Sequence, residues 1–335
     1  MNRNCETVLH IMNGLLGRAH TVTAKEIRRN VEWAANEIDA KSALDRLEQN
    51  GYVNRTNGGS YSFTQKGKTE ADRIREDKIR EEFDKLIGRC TQSSAYLDFC
   101  EELYGYRLYL FNMMDKRQLD DLFRLLSRLA GNKILDMGCG TGSILNHIVK
   151  TFGFIGHGVD QISKGIVDRI SPLITYSQMD MDMVSGENIK AETIISVDSL
   201  YFSKDMEQLI KRIMGSDVKT VCLYYSEYLF EETENKALLQ KDNTRLAKVL
   251  NSLGLKYEAV DYSECEYQLY QRGLALLPKF KERFSAQKIG DIFERRLKEY
   301  KFGAELYEQG RASRFLYIIR CLEEIVNIYE QINEN

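Results

Sequence analysis

The spacing of apolar and polar positions changes several times along the chain, and each change predicts an element. Residues 4–17 put Val8, Leu9, Ile11, Met12, Leu15 and Leu16 on one face of a helix. Thr23 with Glu26 three residues later predicts a capping box that opens a short helix through Arg29. A third helix is expected over 36–49, burying Ile38, Ala43, Leu44 and Leu47 and stopped by Asn50-Gly51. The period then falls to two in 52–55 and 61–63, on either side of Asn57-Gly58-Gly59, which predicts a hairpin. Residues 68–87 are charge-rich with sparse apolar positions and read as a connecting helix. Leu119, Leu122, Phe123, Leu126 and Leu129 form the apolar stripe of another.

From residue 133 the pattern alternates. Strand-like runs at 133–137, 154–160, 173–178, 193–197, 218–224, 256–262 and 314–320 are separated by helical stretches, 235–253 among them. Such alternation predicts an α/β domain with a mostly parallel sheet. A mostly helical stretch, 264–312, interrupts the last two strands. It is expected beside the site as a lid, with a dimer contact as the plainer alternative.

The first strand runs into Asp136-Met137-Gly138-Cys139-Gly140-Thr141-Gly142, followed by an amphipathic helix bearing Ile144, Leu145, Ile148 and Val149. Glycines there let the backbone turn sharply and a ligand approach closely, and such a turn lies at the carboxyl end of the strands, where open sheets bind ligands. The spacing is GxGxG and not the dinucleotide GxGxxG, and Asp136 would repel a pyrophosphate but suits a cation. The segment resembles the first motif of class I S-adenosylmethionine-dependent methyltransferases. That resemblance covers roughly residues 90–320. It implies a Rossmann-like sheet of seven strands in the order 3-2-1-4-5-7-6, with S-adenosyl-L-methionine bound by Asp136, Gly138, Cys139, Gly140 and Gly142.

Further residues follow from the same resemblance. Asp160 ends the second strand, where an acid can accept hydrogen bonds from both ribose hydroxyls. Gln161-Ile162-Ser163 matches the family's GxDxS continuation and is expected to cap a helix. After the third strand comes Met179-Asp180-Met181-Asp182-Met183. The resemblance implies that Asp180 bonds the adenine amino group and Met181 flanks the ring, with Asp182 as the register-shifted alternative. Those methionines are equally consistent with core filler. Asp198 ends the fourth strand, where cofactor and methyl acceptor should meet.

The chain has four histidines, at 10, 20, 147 and 157. None is expected at the ends of strands four and five, which argues against a His-assisted O-methyltransferase. Asp198, Tyr201, Tyr225 and Glu227 are expected there instead. Asp198, Tyr201 and Glu227 are the candidate catalytic residues, because carboxylates and phenols can hold an amine and take its departing proton. Asp198-Ser199-Leu200-Tyr201 is also unlike the [ND]PP[YF] run of enzymes that methylate nucleobase amines. The expected acceptor is a small molecule, with an amine nitrogen as the acceptor atom. Tyr96, Phe99, Tyr104, Tyr106, Tyr109 and Phe111 read either as helical core or as part of the acceptor pocket.

Composition narrows the setting. At 335 residues two domains are expected, and the formal net charge of −3 gives no overall attraction to nucleic acid. No apolar run is long enough to cross a membrane, and the N-terminus lacks a signal-peptide pattern. Seven cysteines without a CxxC pair fit free thiols in the cytoplasm, with no metal site.

Residues 1–85 resemble a winged helix-turn-helix domain, leaving 86–335 for the methyltransferase domain. Residues 1–70 carry ten Lys/Arg against eight Asp/Glu, and 36–49 mix both signs, unlike a phosphate-contacting surface. In several small-molecule methyltransferases such a domain serves as a dimerisation arm, so an arm or a cap over the substrate is expected, with a homodimer, and nucleic acid is not. Two alternatives stay open. One is a methyltransferase of RNA or protein that docks through this domain; the other is a DNA-binding regulator that senses the cofactor.

Overall fold

The computed structural model describes residues 1–16, 21–27, 39–56, 58–129, 131–162, 171–185, 190–215, 217–230 and 234–320. Its contacts divide the chain into two compact units, Met1–Phe83 and the remainder from Asp84.

The first unit contains α1 (Arg3–Leu16), β1 (Val22–Thr23), a helical stretch at 24–27, α2 (Ala40–Gln49), β2 (Val53–Arg55), β3 (Ser60–Phe63) and most of α3 (Gln65–Cys90). The capping box is present: Thr23 N–H donates to Glu26, and Glu26 N–H donates back to the Thr23 hydroxyl at 3.2 Å. The expected helix over 36–49 begins at Ala40, because Asp39 is extended (φ −73°, ψ 91°) and accepts the N–H groups of Lys41 and Ser42. Residues 28–38 and Asn57 of the expected turn lie outside the described residues. The strands form an antiparallel sheet in the order β1-β3-β2. Val8, Leu9, Met12, Ile27, Leu44, Leu47 and Tyr61 make its core.

The second unit opens with α4 (Ser94–Tyr104), capped by the Ser93 hydroxyl and stopped by Gly105 in the left-handed region (φ 74°). An irregular segment, 105–115, leads into α5 (Lys116–Leu126). Then follow β4 (Lys133–Met137), α6 (Ser143–Phe152), β5 (Ile155–Asp160), β6 (Ile174–Gln178), β7 (Thr193–Val197), α7 (Met206–Met214), β8 (Thr220–Tyr228), α8 (Arg245–Ser252) and β9 (Tyr257–Asp261). The sheet runs β6-β5-β4-β7-β8-β10-β9, where β10 is Ala312–Arg320. Counted within the sheet this is 3-2-1-4-5-7-6. Only β10 opposes its neighbours, pairing antiparallel with β8 and β9. One face, bearing Ile134, Ile195, Tyr224 and Leu316, packs under α4–α6 and the helices before β10. The other, bearing Leu135, Ile194, Val221 and Phe315, packs under α7 and α8.

Two elements of the second unit also differ from expectation. β8 continues four residues past Tyr224, because β10 pairs with it through Tyr228. The expected helix over 235–253 is split into a 3-10 turn, Lys236–Leu239, and α8, since Asn235 and Thr244 each cap a separate start.

Between β9 and β10 lie α9 (Ser263–Leu276), a 3-10 turn (Leu277–Phe280), α10 (Lys281–Ala286) and α11 (Gly290–Glu308). α9 and α11 interlock through a repeated Tyr-x-x-Gly. A Cβ on Gly273 would stand 2.7 Å from the Tyr300 ring, and one on Gly303 would stand 2.3 Å from the Tyr270 ring. Each glycine thus makes room for the other helix's tyrosine.

Candidate active site

The turn after β4 puts Gly138, Gly140 and Gly142 at φ 74°, 54° and 73°, where a side chain is disfavoured. Space is equally decisive. A Cβ on Gly138 would lie 2.2 Å from Ser199 Cβ, and one on Gly142 would lie 2.5 Å from the Tyr176 hydroxyl. A Cβ on Gly140 would meet nothing within 4 Å. The loop is therefore walled at its two ends and open at its middle glycine. The N–H groups of Gly138 and Cys139 both donate to Val159 O, at 2.8 and 3.1 Å. Burial pushes the Cys139 thiol up.

Two acids stand beside that opening. Asp160, at the end of β5, accepts from Gly140 N–H at 2.8 Å and from Ile162 N–H at 3.0 Å. Burial raises its pKa, partly offset by those donors. Asp136 is 3% exposed, and no hydrogen bond to its carboxylate forms among the described residues. Burial, then the charge of Asp160, pushes Asp136 up to about 8. Gln161 accepts the Gln178 amide on its carbonyl at 3.0 Å, and Ser163 lies outside the described residues.

Asp180 and Asp182 have different surroundings. Asp182 is committed at both oxygens, to the Ser203 hydroxyl at 2.6 Å and Lys204 N–H at 2.7 Å, and so clips two 3-10 turns together. Asp180 caps Met181–Met183 and lies 3.5 Å from Lys204. Met181 is buried, with its methyl 3.6 Å from where a Gly138 Cβ would stand; Met183 is exposed.

At the end of β7, Asp198 holds a left-handed backbone (φ 51°), unusual outside glycine. Arg314, from β10, grips its carboxylate with both terminal nitrogens at 2.6 and 3.1 Å, and Met113 N–H donates to it at 2.8 Å. Arg314 is fully buried and also donates to Gln118 Oε1 at 2.6 Å, the Ser226 hydroxyl at 2.8 Å and Glu266 at 3.4 Å. Desolvation works against its charge, but Asp198 and Glu266 hold its pKa above the ordinary value. Glu266, buried on α9, accepts from Ser226, from the Tyr228 hydroxyl at 2.7 Å and from the Tyr307 hydroxyl. Burial raises Glu266, and Arg314 pulls it back.

Of the three candidate catalytic residues, two come together. The Tyr201 hydroxyl accepts Ser226 N–H at 2.7 Å, and burial followed by Asp198 raises it well above the ordinary phenol. Glu227 does not join them. It follows Ser226 in β8, so its side chain takes the opposite face of the sheet, where it pairs with the Arg245 guanidinium and accepts Arg245 N–H at 2.7 Å.

Arg314, Glu266 and Gln118 were not legible as site residues, although Glu266 carried a signal. It shares a helical face with Leu269, Tyr270 and Gly273, and a charge on a buried face needs a partner. The aromatic run lies in or against the core. Tyr96, Phe99 and Tyr104 are core, whereas 105–115 reaches the loop through Thr141, whose hydroxyl donates to Tyr109 O at 2.8 Å. Buried Arg296 ties that segment to α11, donating to the Tyr96 hydroxyl at 2.7 Å and Leu110 O at 3.2 Å. The inserted helices are thus keyed into the core. His147 packs on Phe123 and Tyr106, and His157 meets Thr175; His20 lies outside the described residues. Among the described residues no group of three or more His, Cys, Asp or Glu could hold a metal, and no helix is long and apolar enough to cross a membrane.

A model of the methionine biosynthesis protein MetW family matches residues 119–209, well under half of the chain. No curated protein matches. Among solved structures, the chain is similar to phosphoethanolamine N-methyltransferase 2 of Haemonchus contortus with phosphomonomethylethanolamine and S-adenosylhomocysteine. The TM-score is 0.56 at 15% identity, over 71% of this chain and 59% of that one. A structure of that enzyme with S-adenosyl-L-methionine gives 0.50 at 15% identity, over 71% and 59%. The cyclopropane synthase MmaA2 of Mycobacterium tuberculosis gives 0.52 at 13% identity, over 71% and 98%. The chain therefore spans about three-fifths of the length of the Haemonchus enzyme. At such identities the likeness is one of fold: a seven-stranded Rossmann-like sheet of the kind found in S-adenosylmethionine-dependent methyltransferases.

Proposed function

We propose that this chain is an S-adenosylmethionine-dependent methyltransferase that acts on a small-molecule acceptor through an amine nitrogen. The observation that carries the reading is the opening over Gly140 between two acids. Backbone is bare there, the Asp160 carboxylate is fixed by two N–H groups, and Asp136 is buried without a donor. Those residues fit a ligand that brings ribose hydroxyls to Asp160 and positive charge toward Asp136. In this reading Gly138, Cys139, Gly140 and Gly142 form the floor, and Gln161 lines the ribose side. Asp180 with Met181 serves the adenine: Asp182 holds two close hydrogen bonds, from Ser203 and Lys204 N–H, whereas Asp180 Oδ2 meets the Lys204 ammonium at a longer 3.5 Å.

The bound cofactor supplies an activated methyl group. Methyl transfer is an in-line displacement, so the protein's part is alignment and exclusion of water. Segment 105–115, tied to both the glycine loop and Asp198, supports a roof over the site. Asp198 and Tyr201 would flank the acceptor, with Asp198 carrying a charge that favours an ammonium product.

The N-terminal unit, read as a winged-helix-like dimerisation arm of a cytoplasmic homodimer, is part of the same proposal. Calorimetry with S-adenosylhomocysteine tests the core of it. One-to-one binding, followed by transfer of a tritiated methyl group from S-adenosylmethionine to a panel of small amines, is expected. Failure to bind would overturn the reading.

A further inference from the structure

Arg314 is the largest fully buried side chain among the described residues, and it has no role in the proposed reaction so far. A buried guanidinium is costly unless every donor is used. Here every arm is used, and the cluster of Arg314 and its four partners draws on five elements. Gln118 comes from α5, Asp198 from the end of β7, Ser226 from β8, Glu266 from α9, and Arg314 itself from β10. Only Asp198 among them carries appreciable exposure, 15% of its side chain. The rest of the cluster is out of reach of solvent and can touch no ligand. Its single outlet is the carboxylate of Asp198.

The residue that follows Asp198 packs against the glycine loop: Ser199 donates its hydroxyl to Met137 O at 2.7 Å and fills the space that a Gly138 Cβ would need. The Asp198 carboxylate takes three bonds, two from Arg314 and one from Met113 N–H, on a backbone that an aspartate seldom adopts. A free aspartate would relax; this one is held.

We infer that Arg314 is a positioning residue, which, acting through Asp198, fixes a carboxylate beside the glycine loop and so makes the site prefer the cationic methyl donor over its neutral product. The inference rests on the reading of this site as one for S-adenosylmethionine. Donor and product differ by the sulfonium charge, which a carboxylate beside it would sense and a neutral neighbour would not. Glu266 gives the inserted helices a share in this, because it accepts from the same terminal nitrogen of Arg314 that binds Asp198 and takes up part of the guanidinium charge. It keeps the guanidinium from cancelling the carboxylate outright.

The test is the affinity of S-adenosylmethionine relative to S-adenosylhomocysteine, measured by calorimetry. Arg314→Lys retains the charge but loses the two-pronged grip. It should weaken the donor about tenfold and the product less than about twofold, a differential of about 1.0–1.4 kcal/mol. Asp198→Asn should do the same, and the double variant should be no worse than either alone, because the two act on one path. A merely structural arginine would weaken both ligands alike and add to Asp198→Asn. Equal weakening, an unchanged ratio or additivity would each overturn the inference. If Arg314→Lys does not fold, Gln118→Met removes one anchor of the guanidinium and leaves the ion pair. It should lower the ratio in the same direction, and an unchanged ratio there counts against the inference. Wild-type protein that binds neither compound would instead overturn the cofactor reading.

Discussion

The backbone N–H of Gly140 donates to the carboxylate of Asp160 at 2.8 Å, so the most open residue of the glycine loop is fastened to the acid at the end of the next strand. Each of that acid's oxygens already accepts one backbone donor and has a lone pair to spare. Asp160→Ala should therefore cost about 2–4 kcal/mol of S-adenosylhomocysteine affinity, from lost charge-assisted hydrogen bonds and a loosened loop. Isothermal calorimetry on folded variant protein checks it; unchanged affinity would remove Asp160 from the site.

The three loop glycines should fail in different ways. The Cβ of Gly140→Val meets no protein atom within 4 Å, so the fold should survive with the strain of a left-handed residue, about 1–2 kcal/mol. Ligand binding should be lost. Gly138→Ala drives a methyl into Ser199 and Gly142→Ala drives one into Tyr176, so both should lower the melting temperature before binding is even asked. Thermal melts and calorimetry side by side separate the two classes. Equal melting losses for all three would refute the contrast.

Asp136 makes stability depend on pH. Its folded-state pKa of about 8 lies above the unfolded value near 4, so the folded protein holds a proton that the unfolded chain releases. Stability is then full below about pH 4 and declines as pH rises through about 8, by an order of a few kcal/mol for the coupled Asp136–Asp160 pair. Asp136→Asn should flatten that decline between pH 5 and 8.5 in thermal melts. A cationic ligand should reverse the protonation. S-adenosylmethionine binding at pH 7 should then release a proton, seen as a dependence of the calorimetric heat on buffer ionisation enthalpy. Heats that do not vary between buffers would contradict it.

Glu227 should prove a stabilising residue only. Its carboxylate is buried against Arg245 at the start of α8, on the face of the sheet away from Asp198. Glu227→Ala should cost about 1–3 kcal/mol in urea unfolding and leave S-adenosylhomocysteine affinity within twofold. A large change in affinity at unchanged stability would return it to the site.

Much of the architecture was legible because its signals are local. The GxGxG turn, the Thr23–Glu26 box and the strand from Thr193 to Val197 are set by residues close in sequence. What was not legible depends on pairing at a distance. β8 runs on through Ser226 and Glu227 only because β10 is opposite, and that extra length decides which of the two faces Arg314. The Asp198 grip joins residues 116 positions apart, and a lone arginine at the head of an apolar strand does not name its partner. What sets Asp180 apart from Asp182 is likewise distant in sequence: the Ser203 hydroxyl bonds Asp182, while Lys204 meets both acids.

The paired Tyr-x-x-Gly runs of α9 and α11 have a consequence beyond packing. A slip of either helix by one turn would carry both rings off their glycines at once and onto ordinary side chains, so the pair has one docking depth and no near neighbour to it. Glu266 sits one turn before Tyr270 on the same helix, and Tyr307 one turn beyond Gly303 reaches it from the other. The height at which Glu266 meets Arg314 is thus gauged by two residues that have no side chain at all. Their replacement should blur the site without touching it.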